Sequence, residues 1–316
     1  MALEFISPRA IDIPPGGHIV LAIVRNEALR LPYLLTWYRK LGFDRFIFVD
    51  NDSTDGTREF LLAQPDTYVF STQDSFGQSG GGAGVGWKNS LLDEYCDGRW
   101  VIVPDADEIL VWPGSETDSI KRLTGWFDSI GAETLVMLMI DMYSDKPFGQ
   151  IGYLPGAPFL DYSPYFDRTR YYSVHTQSCP FRQYYGGVRE RLFQGLKDPA
   201  LDALRWYAPT ISKVALTRWR KGQQFRNSTH ELKIPVKVAP MRGALLHFKM
   251  LDDLPQKCAA EVVRGQHHAE SREYKVLTAA IAEAPNGSFY DPEISLRYEG
   301  TQQLEALKYI KRDAAF

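Results

Sequence analysis

Cysteine is scarce in this 316-residue chain: Cys96, Cys179 and Cys258 stand far apart, and none falls in a CxxC or CxxH spacing. They support neither a disulfide framework nor a structural zinc site, so a reducing compartment is expected. A basic field is missing as well. Lys and Arg number 36 against 39 Asp and Glu, a formal net charge of -3 with the cations scattered, which argues against nucleic acid as a partner. No apolar run approaches the roughly 20 residues of a membrane span. Residues 1–15 lack the basic-then-apolar order of a signal peptide. A cytoplasmic protein is expected, with no transmembrane segment, meeting the inner face of a membrane only peripherally. Internal repeats and low-complexity tracts are also lacking. What remains, 44% hydrophobic and 24% charged residues, suits a globular chain with a substantial core.

The front of the chain alternates. Residues 18–24 form a continuous apolar run, as expected of a parallel strand buried on both faces. Leu31, Leu34, Leu35, Tyr38 and Leu41 follow at helical spacing, with Gly42 where a helix-ending glycine belongs. Short apolar runs at 46–49, 68–71 and 100–103 read as further strands, separated by helices at 57–64 and 87–96. Such alternation predicts an α/β fold with a doubly wound sheet, whose ligands bind beyond the carboxyl ends of the strands. Residues 134–140 give one more buried strand. Residues 143–185, rich in Tyr, Phe, Pro and Gly, read as ordered loops and short strands, and 251–316 as largely helical.

The sharpest chemical signal is Val101-Ile102-Val103-Pro104-Asp105-Ala106-Asp107-Glu108, a buried strand delivering two carboxylates two positions apart. In extended backbone both would point the same way. Paired carboxylates repel unless a cation intervenes, and hard oxygen ligands suit Mg2+ or Mn2+, which in turn bind phosphate oxygens. A lone Asp-x-Asp is more often a solvated turn or a helix cap, and the surrounding motifs decide otherwise. Those motifs are Val24-Arg25-Asn26-Glu27 after the first strand and Val49-Asp50-Asn51-Asp52-Ser53-Thr54-Asp55-Gly56-Thr57 after the second.

In order and spacing, residues 17–112 resemble the family-2 glycosyltransferases of the GT-A fold. The likeness is closest to a bacterial subgroup that also carries Trp87-to-Asp93, Gly186-to-Arg191, Ser228-Thr229-His230 and Leu245-Leu246-His247-Phe248-Lys249 motifs. The resemblance implies a GT-A (Rossmann-like), mostly parallel sheet flanked by helices, with a helical C-terminal appendage. It divides the chain into an extension (1–16), a nucleotide-sugar-binding half (17–112), an acceptor-side half (113–250) and a helical region (251–316). It also implies transfer of a sugar, with inversion, from a nucleotide-diphosphate donor to a carbohydrate or lipid-linked acceptor. Bacterial surface polysaccharide synthesis is the setting it suggests.

Carried over by residue, Asp50, Asn51 or Asp52 contacts the base, while Asp105 and Asp107 face the ribose and the metal. Relatives place an aspartate where this chain has Asn51, and an amide both donates and accepts, which leaves the base open. Arg25 and Glu27 are expected near phosphate or base, or merely as first-turn helix charges. Lys88 and Asn89 are expected at the donor because helix N-termini favour anions. The glycine-rich loop 80–86 reads as a donor-site loop or a plain flexible one. His247, with His230 as competitor, would complete the metal shell, and Lys249 would neutralise the leaving diphosphate. His267 and His268 read as surface residues. For the general base, Glu190 and Asp141 are the candidates, although arginines on both sides of Glu190 equally suit a structural ion pair. Two rival functions share these features, a sugar-phosphate nucleotidyltransferase and a non-catalytic carbohydrate-binding protein.

Overall fold

The computed structural model describes residues 3–78, 82–168, 171–175, 181–196, 201, 208–226, 228–233 and 236–316. Cys179 and the loop positions Gly80 and Gly81 lie outside the described residues. Strand β1 (Glu4–Phe5) leads to β2 (Ile19–Val24), α1 (Leu31–Leu41), β3 (Arg45–Asp50), α2 (Thr57–Leu62), β4 (Thr67–Ser71), α3 (Val85–Tyr95) and β5 (Trp100–Ile102). Then come β6 (Glu108–Val111), α4 (Ile120–Ile130), β7 (Thr134–Asp141), β8 (Tyr165–Asp167), β9 (Tyr172–Val174), β10 (Gln183–Tyr185) and α5 (Gly187–Gln194). The chain continues through β11 (Ser212–Arg218), β12 (Phe225–Arg226), β13 (Ser228–Leu232), β14 (Val238–His247), α6 (Leu254–Arg264), α7 (His268–Glu283), β15 (Ser295–Arg297) and α8 (Thr301–Ala306).

The α/β architecture expected from the sequence is present. One large sheet runs in the order β1-β4-β3-β2-β5-β11-β7-β14-β6. Its front, β4-β3-β2-β5, is parallel throughout, and β7 pairs in parallel with β14. Strands β1, β11 and β6 join antiparallel.

Why the first apolar run becomes a central strand is visible in its two faces. Val20, Ala22 and Val24 pack with Leu31, Leu34, Leu35 and Tyr38 of α1 on one side. Ile19 and Leu21 pack with Val85, Trp87, Leu91 and Leu92 of α3 on the other. A strand covered on both faces has no position for a polar residue until it leaves the sheet, which is where Arg25 begins. Gly42 ends α1 as expected, at φ 95°, with its N–H donating to carbonyls of the last turn. Gly84, at φ 67°, precedes α3 in the left-handed conformation that favours glycine, and a Cβ there would crowd Ile23 Cδ1 (2.1 Å) and the Phe76 ring (3.0 Å).

The C-terminal region is helical in α6, α7 and α8, but it also returns a strand to the body, β15 pairing with β8. Two of the further motifs, those containing Asp93 and Arg191, supply ties of this frame. Asp93 accepts hydrogen bonds from the Trp219 indole (2.8 Å) and the Gly222 N–H (3.0 Å). Arg191 binds Asp167 through two nitrogens, at 3.0 and 3.1 Å.

Candidate active site

Because β2, β3 and β5 are parallel, their carboxyl ends share one edge of the sheet, and the turns that follow them meet there. A cleft with about 880 Å³ of space, open solvent included, lies over this edge. Arg25 and Glu27 reach it from the end of β2, Asn51 from β3, Lys88 from the first turn of α3, and Asp105 and Asp107 from the β5–β6 turn. His247 and Lys249 enter from the end of β14.

The strand order explains how His247 meets the acidic turn. In register, His247 stands opposite Glu108 of β6 on one side and Asp141 of β7 on the other. Its Nε2 lies 3.3 Å from an Asp107 oxygen, and its Nδ1 is 2.5 Å from Asp141 Oδ1. Burial disfavours the imidazolium, but the two carboxylates outweigh it and push the His247 pKa up to about 9. Burial likewise opposes the Asp107 charge, and His247 overrides it, holding the carboxyl well below its usual range.

The two aspartates do not point the same way, as extended backbone would require. The chain leaves β5 at Ile102 and turns, with Glu108 N–H donating to Asp105 O (3.1 Å) and Asp105 N–H to Glu108 Oε2 (2.9 Å). Both still reach the cleft, Asp107 toward His247 and Asp105 toward Lys213 of β11. The Lys213 ammonium, 1% exposed, binds Asp105 at 2.7 Å and Glu108 at 2.5 Å. Desolvation would raise the Asp105 carboxyl, but Lys213 and Lys88 bring it below its ordinary range. Lys88 itself is 3% exposed and, among the described residues, has no ion-pair partner. Burial lowers its pKa, with Asp105 the chief opposing influence.

Other expected residues stand apart from the cleft. Asp50 is fully buried and accepts from Arg58 Nε at 2.7 Å, while Asp52 pairs with Arg25 at 3.4 Å. The Asn89 amide is consumed by the backbone of Phe225, accepting from its N–H at 3.0 Å. His230 does not compete for Asp107: its Nδ1 lies 2.5 Å from Ser212 O, and burial pushes its pKa down to about 3.

Neither candidate base reaches the cleft. Asp141 is bound through both oxygens by Arg189 (2.7 and 3.2 Å) as well as by His247, and burial's upward pull on it is outweighed by Arg189. A carboxylate so engaged is a poor proton acceptor. Glu190 lies on α5, with Oε1 accepting from Gln194 at 2.5 Å and from Tyr172 at 3.5 Å.

Residues that the sequence did not single out close the cleft. Helix α6 presents Lys257, Glu261 and Arg264, spaced i, i+4, i+7 on one face, and α7 adds Tyr274. Lys257 binds Glu27, and Arg264 Nη2 donates to Asn51 Oδ1 at 2.7 Å. His267, read as a surface residue, instead lines the cleft, 3.1 Å from Glu261 and against the Phe76 and Tyr274 rings. The spacing of the three α6 residues was the available signal, and it is the same signal a solvated helix face gives.

Lys249 is held by Glu273 of α7 at 2.8 Å, over the Tyr274 ring. Burial would raise the Glu273 carboxyl, but Arg189 and Lys249 bring it from 4.5 down to about 2. A carboxyl that titrates lower in the folded protein adds stability above about pH 4.5, and that contribution vanishes as the pH falls through 2. Glu273→Gln is therefore expected to melt below wild type at pH 7, with the gap closing toward pH 2.5. A gap in melting temperature that is independent of pH would contradict the pairing.

Among the described residues no group of three or more His, Cys, Asp or Glu side chains forms a ready-made metal cage. Asp107 and His247 nonetheless offer one carboxylate and one imidazole donor to a divalent cation. Such an ion is commonly held by one or two protein ligands, with substrate phosphates and water completing the shell.

No protein-family model matches the chain, and no curated protein matches it in sequence. Among solved structures, it is similar to a 4-diphosphocytidyl-2C-methyl-D-erythritol synthase at 16% identity, covering 60% of this chain and 85% of that one, with a TM-score of 0.28. A UDP-glucose pyrophosphorylase complexed with UDP-glucose matches at 8% identity, covering 90% of each chain, with a TM-score of 0.29. Another, from Acinetobacter baumanii, matches at 10% identity over 92% of each, with a TM-score of 0.27. Likenesses this slight bear on neither substrate nor reaction.

Proposed function

We propose that the cleft binds a nucleoside-diphosphate sugar and transfers the sugar to an acceptor hydroxyl, the glycosyltransferase chemistry that the motifs resemble. The observation that carries this reading is the meeting, in one cleft, of the Asn51 turn, the Asp105–Asp107 turn and His247. These are distant in sequence. Lys88, Lys249 and Lys257 supply positive charge for a diphosphate, and among the described residues Lys88 is in no direct ion pair.

Asp107 and His247 would hold a divalent cation, which when bound stabilises negative charge on the leaving diphosphate. Asp105, held by Lys213, stays ionised and is free to accept hydrogen bonds from a ribose hydroxyl. Asp141 acts through His247: by accepting from Nδ1 it fixes the ring so that Nε2 faces the cleft. Asp141→Asn is expected to weaken Mn2+ binding about 10- to 100-fold by calorimetry, with the fold retained. Unchanged Mn2+ affinity would remove this positioning role.

The nucleotidyltransferase rival requires a basic, glycine-rich loop after the first strand to hold a triphosphate. Here that position is Arg25-Asn26-Glu27, and Glu27 puts a carboxylate into the cleft. Incubation with a panel of nucleotide sugars and Mn2+ tests the proposal through release of nucleoside diphosphate. Pyrophosphate formed from a nucleoside triphosphate and a sugar phosphate, with no diphosphate release from any nucleotide sugar, would establish the rival instead.

A further inference from the structure

Helix α7 brings Tyr274 to the lining of the cleft, where the residue is only 4% exposed. Its ring is held on several sides. Leu254 and Cys258 of α6 pack with it, the His267 ring lies 5.0 Å away, and the Lys249 ammonium stands 4.9 Å from its centroid. Lys249 is tied in turn to Glu273, so an ion pair and a cation–π contact together fix the ring. The hydroxyl is not held in this way. Among the described residues it has no hydrogen-bond partner, although the Tyr274 carbonyl serves α7 in the ordinary manner, accepting from Thr278 at 2.8 Å. A tyrosine this deeply buried usually finds a partner for its O–H. The charges acting on the hydroxyl are those of Lys249, Lys257, Glu273 and Asp107, so it stands between the lysines and the acidic turn of the cleft. Burial pushes the phenol up to about 12 against the pull of Lys249 and Lys257, and at neutral pH the oxygen keeps its proton.

We infer that Tyr274 is a catalytic residue whose hydroxyl donates a hydrogen bond to the β-phosphate oxygen that departs from the sugar. The inference rests on the transfer reading above and deepens it by naming a group that meets the leaving oxygen. When the bond between the anomeric carbon and that oxygen breaks, its electron pair stays on the phosphate. A lone pair of the acceptor oxygen forms the new bond to carbon, and the acceptor's proton passes to water. Tyr274 keeps its own proton throughout. Its hydrogen bond strengthens as charge gathers on the leaving oxygen, so it favours the transition state and the diphosphate product over the intact donor. Lys249 and Lys257 are already paired with Glu273 and Glu27, whereas the phenol adds an uncommitted donor of fixed direction. Tyr274 lies in the helical C-terminal region, beyond every motif that marks the front of the chain.

Tyr274→Phe removes the oxygen alone and keeps the ring beside Lys249, so the full-length variant is expected to fold and to melt close to wild type. With saturating Mn2+ and the donor identified from the nucleotide-sugar panel, kcat is expected to fall about 10- to 100-fold, the loss of one hydrogen bond to a charged group, while the donor KM changes by less than about threefold. Calorimetry supplies a second readout. The nucleoside diphosphate that binds wild type best among UDP, dTDP, CDP, ADP and GDP is expected to lose about tenfold in affinity for the variant, and its monophosphate nothing, because only the diphosphate carries the freed oxygen. An undiminished kcat, or a raised KM with kcat unchanged, would overturn the catalytic role while leaving the transfer reading intact. Equal losses for diphosphate and monophosphate would overturn it too, by placing the hydroxyl away from the β-phosphate. Wild-type protein that turns over no nucleotide sugar would sink both.

Discussion

Asparagine in place of Asp107 is expected to lower turnover of the nucleotide-sugar donor by about 10²- to 10³-fold, the usual cost of losing one group aimed at developing charge. The amide keeps the shape of the carboxylate, and His247 keeps its bond to Asp141, so the circular dichroism spectrum should stay that of the folded protein, while the melting temperature falls because the buried His247 loses one of its two anionic partners. What the variant loses is one anionic oxygen 3.3 Å from His247 Nε2. Comparing kcat/KM of the two proteins at several Mn2+ concentrations is the check. Activity within a few-fold of wild type would mean that the Asp107–His247 pair is a structural contact and that the chemistry lies elsewhere.

The largest effect on stability is expected at Arg30. Its guanidinium is fully buried and binds Asp253 through two nitrogens at 2.6 and 2.7 Å, with further bonds to Lys249 O (3.0 Å) and Phe248 O (3.3 Å). One side chain thus fastens the start of α1 to the end of β14 and to the residue that opens α6. Burial alone would weaken the charge, but Glu27 and Asp253 raise the Arg30 pKa above its ordinary value. Arg30→Met removes the cation and strands Asp253 and two carbonyls, at an expected cost of about 3–5 kcal/mol. In urea the unfolding midpoint should fall with little change in slope. A loss below about 1 kcal/mol would show that Asp253 and the carbonyls find water readily and that the pin is dispensable.

The parallel front of the sheet was legible because its strands are buried on both faces, so their apolar runs are continuous and end abruptly in polar turns. Asn51, Asp105 and Asp107 could be found for the same reason: each follows such a run. Lys213 could not. Its segment, Ser-Lys-Val-Ala-Leu-Thr-Arg, places a lysine where alternation allows a solvent-facing residue. Only the insertion of β11 between β5 and β7 turns that position onto Asp105 and Glu108. Glu190 and Arg189 illustrate the converse. Both charges follow the Gly186-Gly187 pair, and sequence offers no means of deciding which one turns toward Asp141 and His247. The covering role of α6 stayed hidden because a helix that roofs a polar cleft and one that faces water share the same pattern.

Electron paramagnetic resonance of Mn2+ titrated into the protein, with and without UDP, tests most directly whether one cleft holds cation and diphosphate together. The expected result is coupled binding, with UDP tightening Mn2+ about tenfold or more in wild type and the coupling absent in Asp107→Asn. Independent binding of the two ligands, or coupling that survives in the variant, would contradict the account.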